Sequence, residues 1–246
     1  MARARQGIVL LVAASACTIE PADTEHASPR VVATSPEHMA ADNPRNVLLS
    51  FWFDLPLDPA SIRTDAIELT SGAVRQGGTV RYDPLERRLV FTPDGTFRHD
   101  LAYDAHLSGD LRDLRHGSHV EPMVLTFLTN DQITNQPEPE LPSFARGVAP
   151  LLLGRCASCH GPVAPPLDLD LSSASAIEIT AVAHRANGWP GWPRIEPGAA
   201  AWSYLVYKII GEDTVRGEPM PPDAPLSTGE LRTILDWIDG GAKVDL

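Results

Sequence analysis

The residues best suited to do chemistry in this chain are Cys156, Cys159 and His160, in the run Cys156-Ala157-Ser158-Cys159-His160. Two thiols separated by two residues, with a histidine directly after, form C-x-x-C-H, the signal for covalent haem attachment. The spacing follows from the chemistry. Both thiols must reach the two vinyl groups on one edge of a porphyrin and form thioethers. Two intervening residues let the backbone turn so that both sulfurs point the same way. The adjacent imidazole is then aimed under the ring, where a nitrogen can bind iron. With 3 Cys and 8 His among 246 residues, chance produces this pattern roughly once in a thousand such chains.

Other uses of the pair fit less well. A thioredoxin-like redox pair would want a βαβ context, which the flanks lack. A zinc site needs four ligands, and there is no second Cys pair. The third cysteine, Cys17, has its own explanation. Arg3 and Arg5 precede a short apolar run, Ile8 to Ala14, too short to span a membrane. It ends in Ala14-Ser15-Ala16-Cys17, which resembles a bacterial lipobox, with Ala14 where Leu is usual. That resemblance implies a lipoprotein signal peptide over residues 1–16 and acylation of Cys17. Ordinary signal-peptidase cleavage after Ala14-Ser15-Ala16 is the alternative. One thiol then takes lipid and two take haem, which leaves none for a disulfide.

Iron held by His160 has a sixth position to fill. Met220 is the candidate, in Pro219-Met220-Pro221-Pro222. Flanking prolines fix φ and exclude helix. A loop already stiff in its binding geometry loses little entropy on ligation, which matters for a weak thioether ligand. His184 is the rival and would give bis-His ligation; a thioether ligand raises the reduction potential relative to that pair. Met39 and Met123 fall in the β region. For the haem propionates, Arg194 is the natural charge partner, with Trp192, Trp202 and Tyr204 also in range along the chain.

The elements that must position these residues are readable from periodicity. Residues 17–30 are polar and read as a tether. From 31 to 129 the pattern is β: Val47, Leu49, Phe51 and Phe53 alternate with their neighbours, as do Leu101, Tyr103, Ala105 and Leu107. Val80 and Tyr82, then Leu89 and Phe91, flank a turn at Asp83-Pro84-Leu85-Glu86, and Val124 to Leu128 ends the set. Short strands at regular spacing predict an all-β sandwich. His99, His106, His116 and His119 come from separate strands and turns at irregular spacing, which suits solvated surface histidines. Residues 130–142 lack apolar periodicity and read as a linker. From 143 to 246 the pattern is helical. Phe144, Val148, Leu151 and Leu152 form one face, shortened or kinked by Pro150. Residues 172–187 hold a short helical stretch, and Trp202, Leu205, Val206, Ile209 and Ile210 form a second face. The last helix carries the clearest signals: a capping box at Ser227-Thr228-Gly229-Glu230, an apolar stripe of Leu231, Ile234, Leu235 and Ile238, and a stop at Gly240-Gly241.

Two family resemblances follow from these residues. Ala33-Thr34-Ser35-Pro36, Val47-x-Leu49-x-Phe51, Leu57-Asp58-Pro59-Ala60-Ser61, Leu89-Val90-Phe91-Thr92-Pro93, Leu101-x-Tyr103 and Phe127-Leu128-Thr129 resemble the bacterial Ig-like domains of exported surface proteins. The family's Asp-x-x-Gly segment stands here as Asp113-Leu114-Arg115-His116-Gly117, one residue longer. That resemblance implies a spacer or docking module without catalytic residues. Leu153-x-x-Cys156-x-x-Cys159-His160-Gly161, Ile195-x-Pro197-Gly198, Ser203-x-Leu205-x-x-Lys208-Ile209, Met220-Pro221-Pro222 and Trp237-Ile238-x-x-Gly241-Ala242 resemble the class I cytochrome c-like domains of multidomain exported proteins in Planctomycetes and Myxobacteria. It implies an all-α cytochrome c fold over residues 143–246, one covalent haem c, and the Met of the M-P-P motif, here Met220, as axial ligand to iron.

The expectation is therefore electron transfer, not enzymatic turnover, by a monohaem cytochrome c exported to the bacterial cell envelope or periplasm. Its lipid anchor would sit in a membrane, most simply the outer one, and its partners would be redox proteins. A net charge of −12 argues against nucleic acid, which needs a basic face. The alternatives are a haem enzyme or gas sensor with open iron, an adhesion or scaffold protein, and a redox subunit of a larger complex. No catalytic triad, P-loop or dinucleotide fingerprint favours an enzyme.

Overall fold

The computed structural model describes residues 27–135, 140–189 and 191–245. The expected signal peptide, Cys17 and the first part of the tether lie outside the described residues. The described residues fold as nine β-strands followed by four α-helices.

The β region packs two sheets face to face. One sheet has the order β1 (Val31–Ser35), β3 (Leu49–Phe53), β7 (Arg88–Pro93), β6 (Gly78–Asp83). The other runs β2 (Ala40–Asn43), β9 (Met123–Thr129), β8 (Ala102–Leu107), β4 (Ile67–Ser71), β5 (Val74–Gln76). Every pair is antiparallel except β2 with β9. The period-2 alternation does what it predicts: Leu49, Phe51 and Phe53 are buried, and so are Tyr103, Ala105 and Leu107. Register brings apolar residues opposite one another, Phe51 with Leu89 and Tyr103 with Phe127. Phe97, Tyr103 and Phe127 form an aromatic cluster with ring centroids 4.7–5.8 Å apart. The strand expected from Val47 begins at Leu49, and β2 and β5 carry no alternation that would mark them.

The lengthened Asp-x-x-Gly segment is organised by its acid. The buried Asp113 carboxylate accepts the backbone N–H groups of Arg115 (2.8 Å), His116 (2.7 Å) and Ser118 (2.5 Å). Gly117 completes the turn at φ +73°, in the left-handed region.

The segment after β9 is bound to the sandwich at its start. Thr134 and Asn46 exchange hydrogen bonds of 2.7–3.0 Å between backbone and side chain, and the N–H of Arg45 donates to the Gln132 carbonyl at 2.8 Å. The helical region opens with a wide turn over Phe144–Val148, where the Ala149 N–H reaches back to Phe144. It leads into α1 (Ala149–Arg155), whose first turn holds Pro150. The widened turn falls immediately before the residue that cannot donate, which is how the apolar face of Phe144, Val148 and Leu152 stays continuous and buried. The other helices are α2 (Ala174–Thr180), α3 (Tyr204–Ile210) and α4 (Thr228–Asp239).

Two of these differ from the periodicity. α2 covers only part of 172–187, because the chain after Thr180 leaves the helix for an extended bridge between Val182 and Ile195. α3 begins at Tyr204, which leaves Trp202 in the preceding turn and 37% exposed; the buried face is Val206, Tyr207 and Ile209. α4 matches in full. Ser227 Oγ accepts the Glu230 N–H at 3.3 Å, and Glu230 accepts the Ser227 N–H at 2.7 Å.

The two regions touch. Arg232 of α4 pairs with Asp83 (2.8 Å) and Glu86 (3.2 Å) in the turn between β6 and β7. Arg115 pairs with Glu212 (2.9 Å) and Asp213 (2.8 Å), and Arg81 pairs with Asp239. Leu85 and Leu114 of the β region pack against the helical core, and Ala201 packs against the β core. Among the described residues no helix is long and apolar enough to cross a membrane.

Candidate functional site

The helical region is built around a cavity of about 370 Å³. One wall is the end of α1 and the C-x-x-C-H turn: Arg155, Cys156, Cys159 and His160. Facing it are α3, through Tyr204, Leu205, Lys208 and Ile209, and the loop that carries Met220, Pro221 and Pro222. Leu169, Leu171, Arg194 and Ile195 are also in the wall. Cys156, Cys159 and His160 thus meet Met220, far from them in sequence, on one largely apolar space.

The motif turns as its spacing requires. The Cys159 and His160 N–H groups both return to the Cys156 carbonyl, at 3.2 and 2.9 Å. Both thiols are free, with Cys156 half-buried and Cys159 exposed at the edge. Burial pushes the Cys156 thiol up to about 11. His160 Nδ1 lies 3.2 Å from the Leu169 carbonyl. A carbonyl can only accept, so Nδ1 donates and Nε2 keeps its lone pair, the form that ligates a metal. Burial lowers the His160 pKa and outweighs the opposing Leu169 carbonyl, so the ring is neutral at pH 7.

Arg194 is in the wall as the sequence suggested, but its guanidinium is already engaged. It donates to the carbonyls of Asp168 (3.1 Å), Thr180 (2.6 Å) and Leu167. It therefore braces the segment just before Leu169, whose carbonyl orients His160. Of the aromatic candidates, Tyr204 lines the cavity and Trp192 and Trp202 do not. Trp192 packs among Trp189, Trp202 and Tyr207, its ring tilted or edge-on to theirs, with centroids 5.3–5.4 Å apart. Trp202 faces the cleft between the two regions, beside Tyr82 and Arg81. His184 is exposed and outside the cavity wall. Met39 and Met123 lie in the β region. Among the β-region histidines, His99 pairs with Asp100 at 2.9 Å and His119 with the Gly109 carbonyl at 2.8 Å.

Sequence reasoning assigned no role to Lys208, Arg155 or the Leu169 carbonyl. Lys208 did carry a signal, as the only charge in the apolar run Tyr204–Ile210. A backbone carbonyl carries none.

The space suits a haem. Its volume lies in the range of small-molecule pockets, about 300–1,000 Å³. Both thiols are at one edge, and a neutral imidazole and a thioether share the wall. Among the described residues no group of three or more His, Cys, Asp or Glu side chains could hold a metal ion. A metal bound by one His and one Met would have to bring further ligands with it, as iron in a porphyrin does.

The profile of the bacterial Ig-like domain family matches residues 25–129. No curated protein matches the chain. Among solved structures, the S-layer protein rSbsC(31-844) is similar at 18% identity over 47% of this chain, with a TM-score of 0.33. This chain spans only 15% of that one. CopC from Methylosinus trichosporium OB3b is similar at 13% identity over 44% of this chain and 99% of its own, with a TM-score of 0.34. L,D-transpeptidase 1 of Mycobacterium tuberculosis is similar at 14% identity, over 42% of this chain and 40% of its own, with a TM-score of 0.30. The chain carries an N-terminal Ig-like domain followed by an α-helical domain.

Proposed function

We propose that the protein is a monohaem electron carrier of cytochrome c type, exported and tethered to the cell envelope by lipid on Cys17. The observation that carries this reading is the meeting of Cys156, Cys159, His160 and Met220 on one apolar cavity. Haem, when bound, supplies an iron that accepts and releases one electron.

The chain's own residues do the rest. Cys156 and Cys159 would hold the group, and His160, its tautomer fixed by Leu169, would offer Nε2 to the iron. Met220 would offer its sulfur to the iron as well. Leu169, Leu205 and Ile209 exclude water from the space between them. With His160 and Met220 both bound to it, the iron would have no position left for a substrate, which favours electron transfer over catalysis. The Ig-like domain, fastened by Arg232 and Arg115, would hold the helical domain at a set orientation from the membrane or a partner.

The test is expression of the full chain with a haem-attachment system. Covalent haem should survive a denaturing gel, and the oxidised protein should have a Met-to-iron charge-transfer absorption that Met220→Ala abolishes. A wild-type protein without covalent haem sinks the proposal. A five-coordinate, high-spin spectrum with peroxidase turnover favours the open-iron enzyme instead. Recovery of the protein in the membrane fraction, lost in Cys17→Ser, checks the anchor.

A further inference from the structure

We infer that Lys208 is a positioning residue that clasps the Met220 loop onto α3, an inference that rests on Met220 being the second axial ligand. The loop between Gly211 and Ser227 has no regular secondary structure. A thioether on such a loop binds iron only as well as the loop is ordered, because ordering a residue costs about 1–2 kcal/mol.

Lys208 meets the loop at three points. Its backbone carbonyl accepts the Met220 N–H at 2.8 Å. Its Nζ donates to the Arg216 carbonyl at 3.0 Å and to the Glu218 carbonyl. One residue of a regular helix thereby fixes positions 216, 218 and 220 together. Charge-assisted hydrogen bonds of this kind are roughly twice as strong as neutral ones.

The surroundings are built to the same end. One helical turn earlier, the Tyr204 hydroxyl donates to the same Arg216 carbonyl at 3.3 Å. It occupies space left by Gly188, where an added Cβ would lie 2.2 Å from that hydroxyl. Gly211 at φ +75° and Gly217 at φ +79° turn the loop back over α3. Across the cavity, Arg155 donates to the Ala224 (2.8 Å) and Pro225 (3.2 Å) carbonyls and so restrains the loop's far end. A cation in an otherwise apolar helix is thus spent on backbone carbonyls of one loop, not on a carboxylate.

The experiment uses the haem-loaded full chain as wild type, Lys208→Met and Lys208→Arg. Lys208→Met keeps the aliphatic stem and removes the donors. In that variant covalent haem should be retained in full. Added imidazole should displace Met220, read as loss of the charge-transfer absorption, at about tenfold lower concentration than in wild type. Amide hydrogen exchange at Met220 should accelerate by a similar factor, about tenfold. Lys208→Arg, which can still donate to both carbonyls, should recover most of both losses. Imidazole titration and Met220 exchange that match wild type in Lys208→Met overturn the clasp. If wild type itself lacks the charge-transfer absorption, the ligation reading fails separately, and the inference that Lys208 positions a ligand falls with it.

Discussion

The two domains solve the problem of an interior in opposite ways. The Ig-like domain fills its own core. Leu49, Phe51, Leu89, Tyr103, Leu125 and Phe127 are almost wholly buried against one another across two sheets. The helical domain has a buried core too, but α1 and α3, seven residues each, and the loops that follow them wall a space that side chains leave open. Around that space the chain is held by long cationic side chains reaching backbone carbonyls: Arg155 to 224 and 225, Arg194 to 167, 168 and 180, Lys208 to 216 and 218. A self-filled core needs no ligand. A cavity walled by loops gains order from whatever fills it. The difference therefore separates a domain closed on its own side chains from a domain that walls a cavity.

The strongest way to break the comparison is to hollow the filled core. Phe127→Ala should cost the Ig-like domain about 3–5 kcal/mol, since the ring is fully buried against Tyr103 and Phe97. The helical domain should stay folded. Four of the five tryptophans, Trp189, Trp192, Trp202 and Trp237, lie in the helical domain. Urea unfolding followed by tryptophan fluorescence should move little while the β signal in circular dichroism moves far. Coincident shifts would mean that the domains are one cooperative unit.

A somewhat smaller effect, about 1–3 kcal/mol, is expected of Asp113→Ala, which leaves three part-buried N–H groups without their acceptor in the turn after β8. The same acid gives a pH dependence. Burial alone would raise the Asp113 pKa, but the N–H groups of His116, Arg115 and Ser118 outweigh it and hold the carboxyl below its ordinary range. Its contribution is therefore present above the unfolded value near pH 4 and is lost as pH falls through the folded value. Acid titration of thermal stability should show this loss in wild type and not in Asp113→Ala.

How much of this was legible in the sequence depended on whether the signal was local. Leu49 to Phe53 and Tyr103 to Leu107 announce their strands because burial on one face imposes alternation. β2 and β5 do not, since edge strands reading AADN and VRQ have no buried face to pattern. The capping box of α4 was legible because cap and partner are three residues apart. α2 is shorter than its periodicity, because nothing local tells that the chain leaves the helix after Thr180 to pair Val182 with Ile195. The site divides in the same way. Cys156, Cys159 and His160 declare themselves by spacing, and Met220 by its prolines. Of the supports, Lys208 is marked only by its charge in an apolar run, and the partners of Lys208 and Arg194 are backbone carbonyls, which no sequence pattern reveals. That is also why Arg194 could be suggested for the cavity from its charge, while its three carbonyl partners could not.

The smallest effect concerns the boundary on which the comparison turns. Arg232 joins α4 to the turn between β6 and β7, 2.8 Å from Asp83 and 3.2 Å from Glu86, and also reaches Asp236 one helical turn on at 3.5 Å. Burial works against its charge, but Asp83, Asp236 and Glu86 together raise its pKa, so it is fully charged. Arg232→Ala removes all three contacts at once. Ion pairs that are partly open to solvent contribute about 1 kcal/mol or less, and truncation leaves Asp83 with less compensation. We therefore expect a loss of about 1 kcal/mol, expressed as weaker coupling between the domains and not as unfolding of either. A double-mutant cycle with Asp83→Ala, read in the helical-domain unfolding midpoint, measures that coupling. A coupling indistinguishable from zero would leave the Arg115 and Arg81 ion pairs and the apolar contacts of Leu85, Leu114 and Ala201 as what holds the two domains together.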